Sequence, residues 1–470
     1  MAEKFDAIII GTGQAGPSMA QRMTGEGLKV AIIERKLFGG TCVNVGCIPT
    51  KTLVASARAA YMARRGGEFG VVIEGEIKVD MKAVKARKDV IVQQSNQGVT
   101  NWMKNMDNLS VYEGHGRLES ANTVRVNGAL LEAEKIILNV GGRALVPEMP
   151  GIDEIDYFTN SNIMDVDFLP EHLIIVGGSY IGLEFAQIYR RFGSRVTVIQ
   201  KGDRLIPRDD PEVSEAVKDI LENEGIEIRL QAECVAFAKR DGKVVVSASC
   251  TPSGGSGDNS SDENGNEEIV GSHVLLAVGR IPNTDDLGLA AAGVETDRRG
   301  FITVDDQLAT NVPGIWAIGD ANGRGAFTHT SYNDYEILAA NMFDNDPRRV
   351  SDRIMAYGLF IDPPLGRVGM TEAEVRASGR PALTGKMMMA RVGRARERSE
   401  TQGFMQVFID AETKRILGAA ILGIGGDEII HSLLDIMYAD APYTVIQRAM
   451  HTHPTVSELI PTMLADLKPL

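Results

Sequence analysis

The apolar positions of this chain fall into short runs that end in glycine. One run opens after Asp6, covers residues 7–10 and feeds the turn Gly11-Thr12-Gly13-Gln14-Ala15-Gly16. A stretch of helical periodicity follows, and then a second apolar run, Val30–Glu34. Runs this short, punctuated by glycine and separated by a helical pattern, predict strand, turn, helix and strand, the order of a βαβ unit. The order recurs where residues 173–176 lead into Gly177-Gly178-Ser179-Tyr180-Ile181-Gly182, followed by a helical stretch and the run Arg195–Ile199. Glu34 stands 23 positions after Gly11, and Gln200 stands 23 after Gly177. The repeat predicts an α/β protein with two Rossmann-like units and two bound nucleotides.

Between and beyond these units the texture changes. Residues 49–65 are alanine-rich with apolar positions at helical spacing and predict a helix. Residues 251–268 are acidic, polar and glycine-rich, with nothing to bury, and predict a mobile surface excursion between two strands of the second unit. Further apolar runs occupy residues 274–278 and 315–318, and after about residue 349 the pattern becomes mixed α+β. The expected division is 1–150 and 281–348 for the first nucleotide-binding domain, 151–280 for the second, and 349–470 for an α+β interface domain.

Composition narrows the function. A chain of 470 residues exceeds one ordinary core, so two or three domains are expected. A formal charge of −14 argues against general nucleic-acid or membrane-surface binding, and no apolar run approaches the roughly 20 residues of a membrane span. The opening residues carry no secretory pattern, which leads us to expect a cytoplasmic protein. Four cysteines make no disulfide framework. Cys234 and Cys250 read as incidental, which leaves Cys42 and Cys47 to explain.

Gly11, Gly13 and Gly16 stand where a tight turn brings backbone N–H groups and a helix N-terminus against a pyrophosphate. Glu34 stands where a carboxylate accepts from a ribose hydroxyl, so the first turn is expected to take a dinucleotide. In the second turn Ser179 replaces the middle glycine. Gln200 replaces the acid, with Lys201 and Arg204 beside it. A carboxylate there would repel a 2′-phosphate, whereas an amide beside cations would not, so NADPH is expected ahead of NADH.

The sharpest signal is Gly39-Gly-Thr-Cys42-Val-Asn-Val-Gly46-Cys47-Ile-Pro49-Thr-Lys51. Two thiols four residues apart can close a small disulfide if the chain turns at Gly46, and Pro49 suits the first turn of the following helix. Cys47 is then at a helix N-terminus, where the dipole favours thiolate. Such a dithiol can take two electrons and pass them on by exchange. A half zinc site would need a second Cys/His pair nearby, and the sequence offers none there; a passive structural disulfide is the other reading of the spacing.

This block, with GGSYIGLE, AVGR, AIGDA and HTHPTVSE, resembles the class I pyridine nucleotide–disulfide oxidoreductases, which include lipoamide dehydrogenase, glutathione reductase and mercuric reductase. The resemblance runs along essentially the whole chain. It implies FAD and NAD(P)H as cofactors, Cys47 as the thiol against the flavin and Cys42 as the thiol that attacks substrate. Lys51 and Glu184 resemble the ion pair near the flavin, Tyr180 the aromatic gate over the nicotinamide site, and Asp320 the residue that holds the ribityl chain. The resemblance adds Thr41, Gly116, Gly142, Gly279 and Arg280 as cofactor-binding positions. His453 and Glu458 match the acid–base pair that each subunit lends to its partner, which implies a homodimer; Pro454 makes a cis bond possible there. His451 reads as a neighbour of that pair.

Residues 361–371 and 394–396 resemble the mercuric reductase-like and reactive-chlorine-resistance branch. Against true mercuric reduction stand the C-terminal residues 463–470 without a cysteine pair, the retention of His453 and the lack of an N-terminal metal-binding domain. The expected activity is reduction of a small disulfide or thiol-reactive oxidant. The alternatives are a Hg(II) or Cu(II) reductase, a dihydrolipoyl dehydrogenase, or a non-catalytic flavin sensor. No resident metal is expected.

Overall fold

The computed structural model describes the backbone of residues 1–250 and 266–470. Three sheets organise it. The first is a five-stranded parallel sheet in the order Ile315–Ala317, Lys135–Leu138, Ala7–Ile10, Val30–Glu34, Leu109–Glu113. Its three central strands are buried on both faces, which is why they read as apolar runs rather than as alternation. Chain order reverses on either side of Ala7–Ile10, so a crevice opens over Gly11 at the carboxyl ends of the strands.

The second parallel sheet runs Glu227–Arg229, Arg195–Ile199, His172–Val176, His273–Leu276. An antiparallel meander of Ala232–Arg240, Lys243–Cys250 and Asn266–Gly271 packs against it. The last of these strands takes in residues 266–268, so the polar stretch expected at 251–268 gives way to regular structure three residues early. Glu268 pairs there with Arg240 across the meander, which explains why an acidic residue suits a strand edge. The rest of that stretch, 251–265, lies outside the described residues.

His172 is buried within this second sheet. It bonds the Val270 carbonyl through Nδ1 and the Thr197 hydroxyl through Nε2, at 2.8 Å each, and burial pushes its pKa down.

The third sheet is antiparallel, in the order Ala356–Leu359, Leu365–Gly369, Ile416–Leu422, Phe404–Asp410, Ala382–Met388, Lys468–Pro469. Its first two strands reach back to the other units. Arg367, 1% exposed, pairs with the buried Asp210, and Tyr357 donates to Asp209. Buried charges of this kind are tolerated only when paired. Two helices absent from the sequence reading complete the frame. Gly40–Val45 carries Cys42, and Met81–Lys104 is capped by Asp80, whose carboxylate accepts from Lys82 and Ala83 N–H. Among the described residues no helix is long and apolar enough to cross a membrane.

Candidate active site

The two nucleotide turns repeat in space as they do in sequence. Gly11 and Gly177 both have left-handed backbone, with φ of +105° and +117°. A Cβ on either would lie within 2.3 Å of a strand carbonyl, that of Asn139 or Ala277. A Cβ on Gly16 would meet the Gly11 carbonyl at 2.3 Å, and one on Gly182 would meet the Gly177 carbonyl at 2.1 Å. Both turns therefore close only with glycine. That is the cradle a dinucleotide needs, with backbone N–H groups bared at a helix N-terminus.

The residue closing each unit differs as expected. Glu34 Oε2 accepts from Thr12 N–H and hydroxyl at 3.1 and 2.6 Å, and its Oε1 accepts from Lys36 N–H at 2.8 Å. Gln200 Oε1 accepts from Gly178 N–H at 2.9 Å, and its amide donates to the Arg204 carbonyl at 3.3 Å. The amide thus fixes the loop that carries Lys201 and Arg204. Lys201 is exposed, and Arg204 Nη2 donates to the Pro207 carbonyl at 3.0 Å.

Other expected cofactor positions lie around these turns. Gly116 packs on Ile33 and Ile10, and Thr41 sits half-buried beside Cys42. Gly142 and Arg280 lie on two paired antiparallel strands, and the Arg280 side chain donates to the Gly142 carbonyl at 2.6 Å and stands 3.5 Å from Asp320. Burial pushes the Asp320 carboxyl up, with Arg280 opposing it. Gly279 adopts a φ of +136° immediately before Arg280. Asn139, which the sequence did not single out, braces the first turn by donating to the Gly11 and Gly13 carbonyls at 3.2 and 3.3 Å. The glycine cradle, Glu34 and the buried Asp320 fit an FAD.

The helix expected over residues 49–65 begins two residues earlier, as Cys47–Arg64, so Cys47 is its first residue. Gly46 joins it to the helix Gly40–Val45, and a Cβ there would stand 2.8 Å from the Thr41 carbonyl and 3.2 Å from the Cys42 Cα. This close approach brings the two free thiols into hydrogen-bond contact. The Cys42 thiol donates to the Cys47 sulfur, and the Thr328 hydroxyl lies 3.1 Å from the same sulfur. The bond from Cys42, aided by Thr328 and the Lys51 ammonium against the opposing effect of burial, holds Cys47 down at about 6. The same bond, with burial, pushes Cys42 far above an ordinary thiol. One sulfur is a thiolate near neutral pH and the other keeps its proton.

Lys51, one turn further along the helix, donates to both Glu184 oxygens at 2.9 and 2.8 Å. Its ammonium also lies 4.3 Å above the Phe360 ring, and Phe360 N–H donates to Glu184 at 3.1 Å. Glu184 is buried and needs all these partners. Tyr180 opens the helix Tyr180–Phe192 directly after Ser179. It packs edge-on to Phe327 and Tyr357, and Phe327 immediately precedes Thr328. Thr328, Phe327, Tyr357, Asp209 and Phe360 all belong to the site, and no local motif marks them.

Among the described residues no hydrogen bond joins His453 to either thiol of its own chain. His453 is exposed, its peptide bond to Pro454 is cis, and its Nδ1 lies 2.9 Å from Glu458. His451 Nδ1 bonds instead to the Ala449 carbonyl at 3.1 Å. Cys234 and Cys250 lie on neighbouring strands of the meander in the second unit.

Comparison with known proteins adds to this geometry. Residues 5–334 match the model of the pyridine nucleotide-disulphide oxidoreductases, and residues 355–464 match the dimerisation domain of the same group. The chain is 32% identical to the probable pyridine nucleotide-disulfide oxidoreductase RclA of Escherichia coli, over 99% of this chain and 100% of that protein. It is 30% identical to a mercuric reductase of Streptomyces lividans, over 97% of this chain and 94% of the relative. A solved structure described as the Cu(II) complex of the HOCl-induced flavoprotein disulfide reductase RclA superimposes with a TM-score of 0.87 at 31% identity, covering 98% of this chain and 100% of the other.

Proposed function

The chain belongs to the pyridine nucleotide–disulfide oxidoreductases, near RclA and the mercuric reductases, and is an FAD-dependent NAD(P)H–disulfide oxidoreductase; on that premise we propose that its donor is NADPH and its acceptor a small disulfide or thiol-reactive oxidant. One observation carries the choice of acceptor: the polarised thiol pair, with Cys47 held near 6 and Cys42 protonated beside it. Gln200, Lys201 and Arg204 support NADPH, because an amide takes the position where a carboxylate would repel a 2′-phosphate and two cations follow it.

The chain's own residues divide the work. Gly11, Gly13, Gly16 and Glu34 would hold FAD, with Asp320 at its ribityl chain; Gly177, Gly178, Ser179 and Gly182 would hold NADPH. When bound, FAD supplies the two-electron relay between reduced nicotinamide and the Cys42–Cys47 disulfide. Lys51 and Glu184 orient the helix that carries Cys47 and place a cation beside its thiolate. In the exchange half-reaction, a base removes the Cys42 proton and the Cys42 sulfur attacks the substrate disulfide. One substrate thiolate leaves and takes that proton. The Cys47 thiolate then attacks the Cys42 sulfur of the mixed disulfide, the second substrate sulfur leaves as a thiolate that solvent protonates, and the Cys42–Cys47 bond closes.

The raised Cys42 pKa makes the base essential. His453 of the partner subunit, oriented by a carboxylate, is the group suited to it near neutral pH. The interface domain keeps Met355, Tyr438, Val445 and Met450 exposed in the single chain, apolar surface that a second copy would cover. In this reading the enzyme is a homodimer.

The Cu(II) complex of RclA and the mercuric reductase among the relatives favour a second reading, in which a soft metal ion is the substrate. Two adjacent sulfurs suit such an ion. Steady-state NADPH oxidation against a panel of small disulfides, Hg(II)–thiol complexes and Cu(II) separates the two. Higher kcat/KM with a disulfide supports the first reading, and turnover confined to a metal ion overturns it.

A further inference from the structure

Tyr180 is tied down. Its hydroxyl donates to Asp209 Oδ2 at 2.8 Å, and the other oxygen of the same carboxylate accepts from the Tyr357 hydroxyl at 3.0 Å. Asp209 is 3% exposed, so these are bonds to a buried carboxylate and not a surface contact. The three rings around it are ordered as well. Tyr180 stands edge-on to Phe327 and Tyr357, and those two rings stack 5.6 Å apart at 6°.

The carboxylate cannot easily follow the tyrosine. Asp209 closes a loop whose backbone is pinned at several points. Ile206 N–H donates to the Gly178 carbonyl and Asp209 N–H to the Ile206 carbonyl, each at 2.9 Å. The Ser214 hydroxyl donates to the Leu205 carbonyl at 2.6 Å. Ile206 is fully buried at a φ of +38°, a conformation that a β-branched residue adopts only under constraint. The next residue, Asp210, is paired with buried Arg367 and accepts from Glu372 N–H at 2.8 Å. The loop is therefore clamped between the second nucleotide-binding unit and the interface domain, so opening requires Tyr180 itself to turn about its side-chain bonds.

We propose that Asp209 is a latch that holds Tyr180 closed between the second nucleotide turn and the dithiol, and that Tyr357 makes opening possible. This rests on Tyr180 acting as the gate over the nicotinamide site. Opening breaks the Tyr180–Asp209 bond. Asp209 is then left with Tyr357 as its remaining hydroxyl donor, so the buried carboxylate is not stripped bare. Asp209 and Tyr357 are positioning residues that act through Tyr180. Together they set the fraction of enzyme that can receive the nicotinamide, and the apparent nucleotide affinity scales with that fraction.

The two partners should act with opposite sign. Asp209→Asn weakens the closed state, so NADP⁺ titrated into the FAD-loaded dimer by calorimetry should bind more tightly, by about 3- to 10-fold. Tyr180→Phe removes the same bond and should tighten binding similarly, and the double variant should be no tighter than either alone. Tyr357→Phe removes a bond that the closed state also has, but in the open state it leaves the buried carboxylate with neither hydroxyl donor, so it costs the open state more and should weaken binding by a similar factor. A merely structural role would move all these variants in one direction. Weaker binding in Asp209→Asn, additivity in the double variant, or tighter binding in Tyr357→Phe would overturn the latch. Tyr180→Ala tests the underlying gate: unchanged NADP⁺ affinity and an unchanged rate of enzyme reduction by NADPH would remove the gate itself. A shift in Tyr180→Ala with none in Asp209→Asn and Tyr180→Phe would remove the latch alone.

Discussion

Cys47 owes its low pKa to two neighbours close in the chain and one far from it. Cys42 comes from the preceding helix, Lys51 from the next turn, and Thr328 from 281 residues away. The first two were legible in the sequence, because the thiols and the lysine share one local motif. Thr328 was not, since a threonine at the start of a helix is usually read as a cap and nothing local shows what it faces. The same holds for Asp209, which a loop of the second unit brings in, and for Tyr357 and Phe360, which reach the site because the interface domain folds back on it. Thr328→Val removes a hydroxyl from the Cys47 sulfur. It should raise the midpoint of Cys47 alkylation from about 6 by roughly one pH unit, the low end for a bond to a charged group because Cys47 is solvent-exposed. The pH dependence of iodoacetamide labelling of the reduced enzyme measures this directly, and an unmoved midpoint would assign the low pKa to Cys42 and Lys51 alone.

The repeated turn is the element that sequence reading served best. Glycine spacing, apolar runs and the position of Glu34 or Gln200 are all local, and the strands Val30–Glu34 and Arg195–Ile199 fall where their patterns put them. The long helix Met81–Lys104 and the strands that flank the first unit escaped, since they carry no glycine signature and are shaped by packing. Gly16 and Gly182 give the two cradles separate tests. Alanine at either position drives a Cβ into a backbone carbonyl at 2.3 or 2.1 Å, which costs about 1–3 kcal/mol locally or distorts the turn. Gly16→Ala should purify with little FAD. Gly182→Ala should stay yellow yet lose tenfold or more in NADPH affinity, about 1.4 kcal/mol. Flavin absorbance and nucleotide titration read the two effects. Loss of FAD from Gly182→Ala instead would reverse the assignment of the turns.

At the scale of the whole molecule, the site is incomplete in one chain. Cys42 holds its proton tightly, while His453, the imidazole suited to take it, stands exposed beside Glu458 and, among the described residues, bonds to neither thiol of its own chain. The histidine was legible through the family resemblance, but the need for a base became physical only with the thiol–thiol bond. Mixing variants is the most direct test of a dithiol served in trans. Cys42→Ser lacks the attacking sulfur and His453→Ala lacks the base, so each homodimer should be nearly inactive while keeping FAD. Subunits unfolded and refolded together should pair at random and regain about a quarter of wild-type disulfide reduction, from one complete site in each mixed dimer. Activity in Cys42→Ser alone, or no recovery on mixing, would contradict the account.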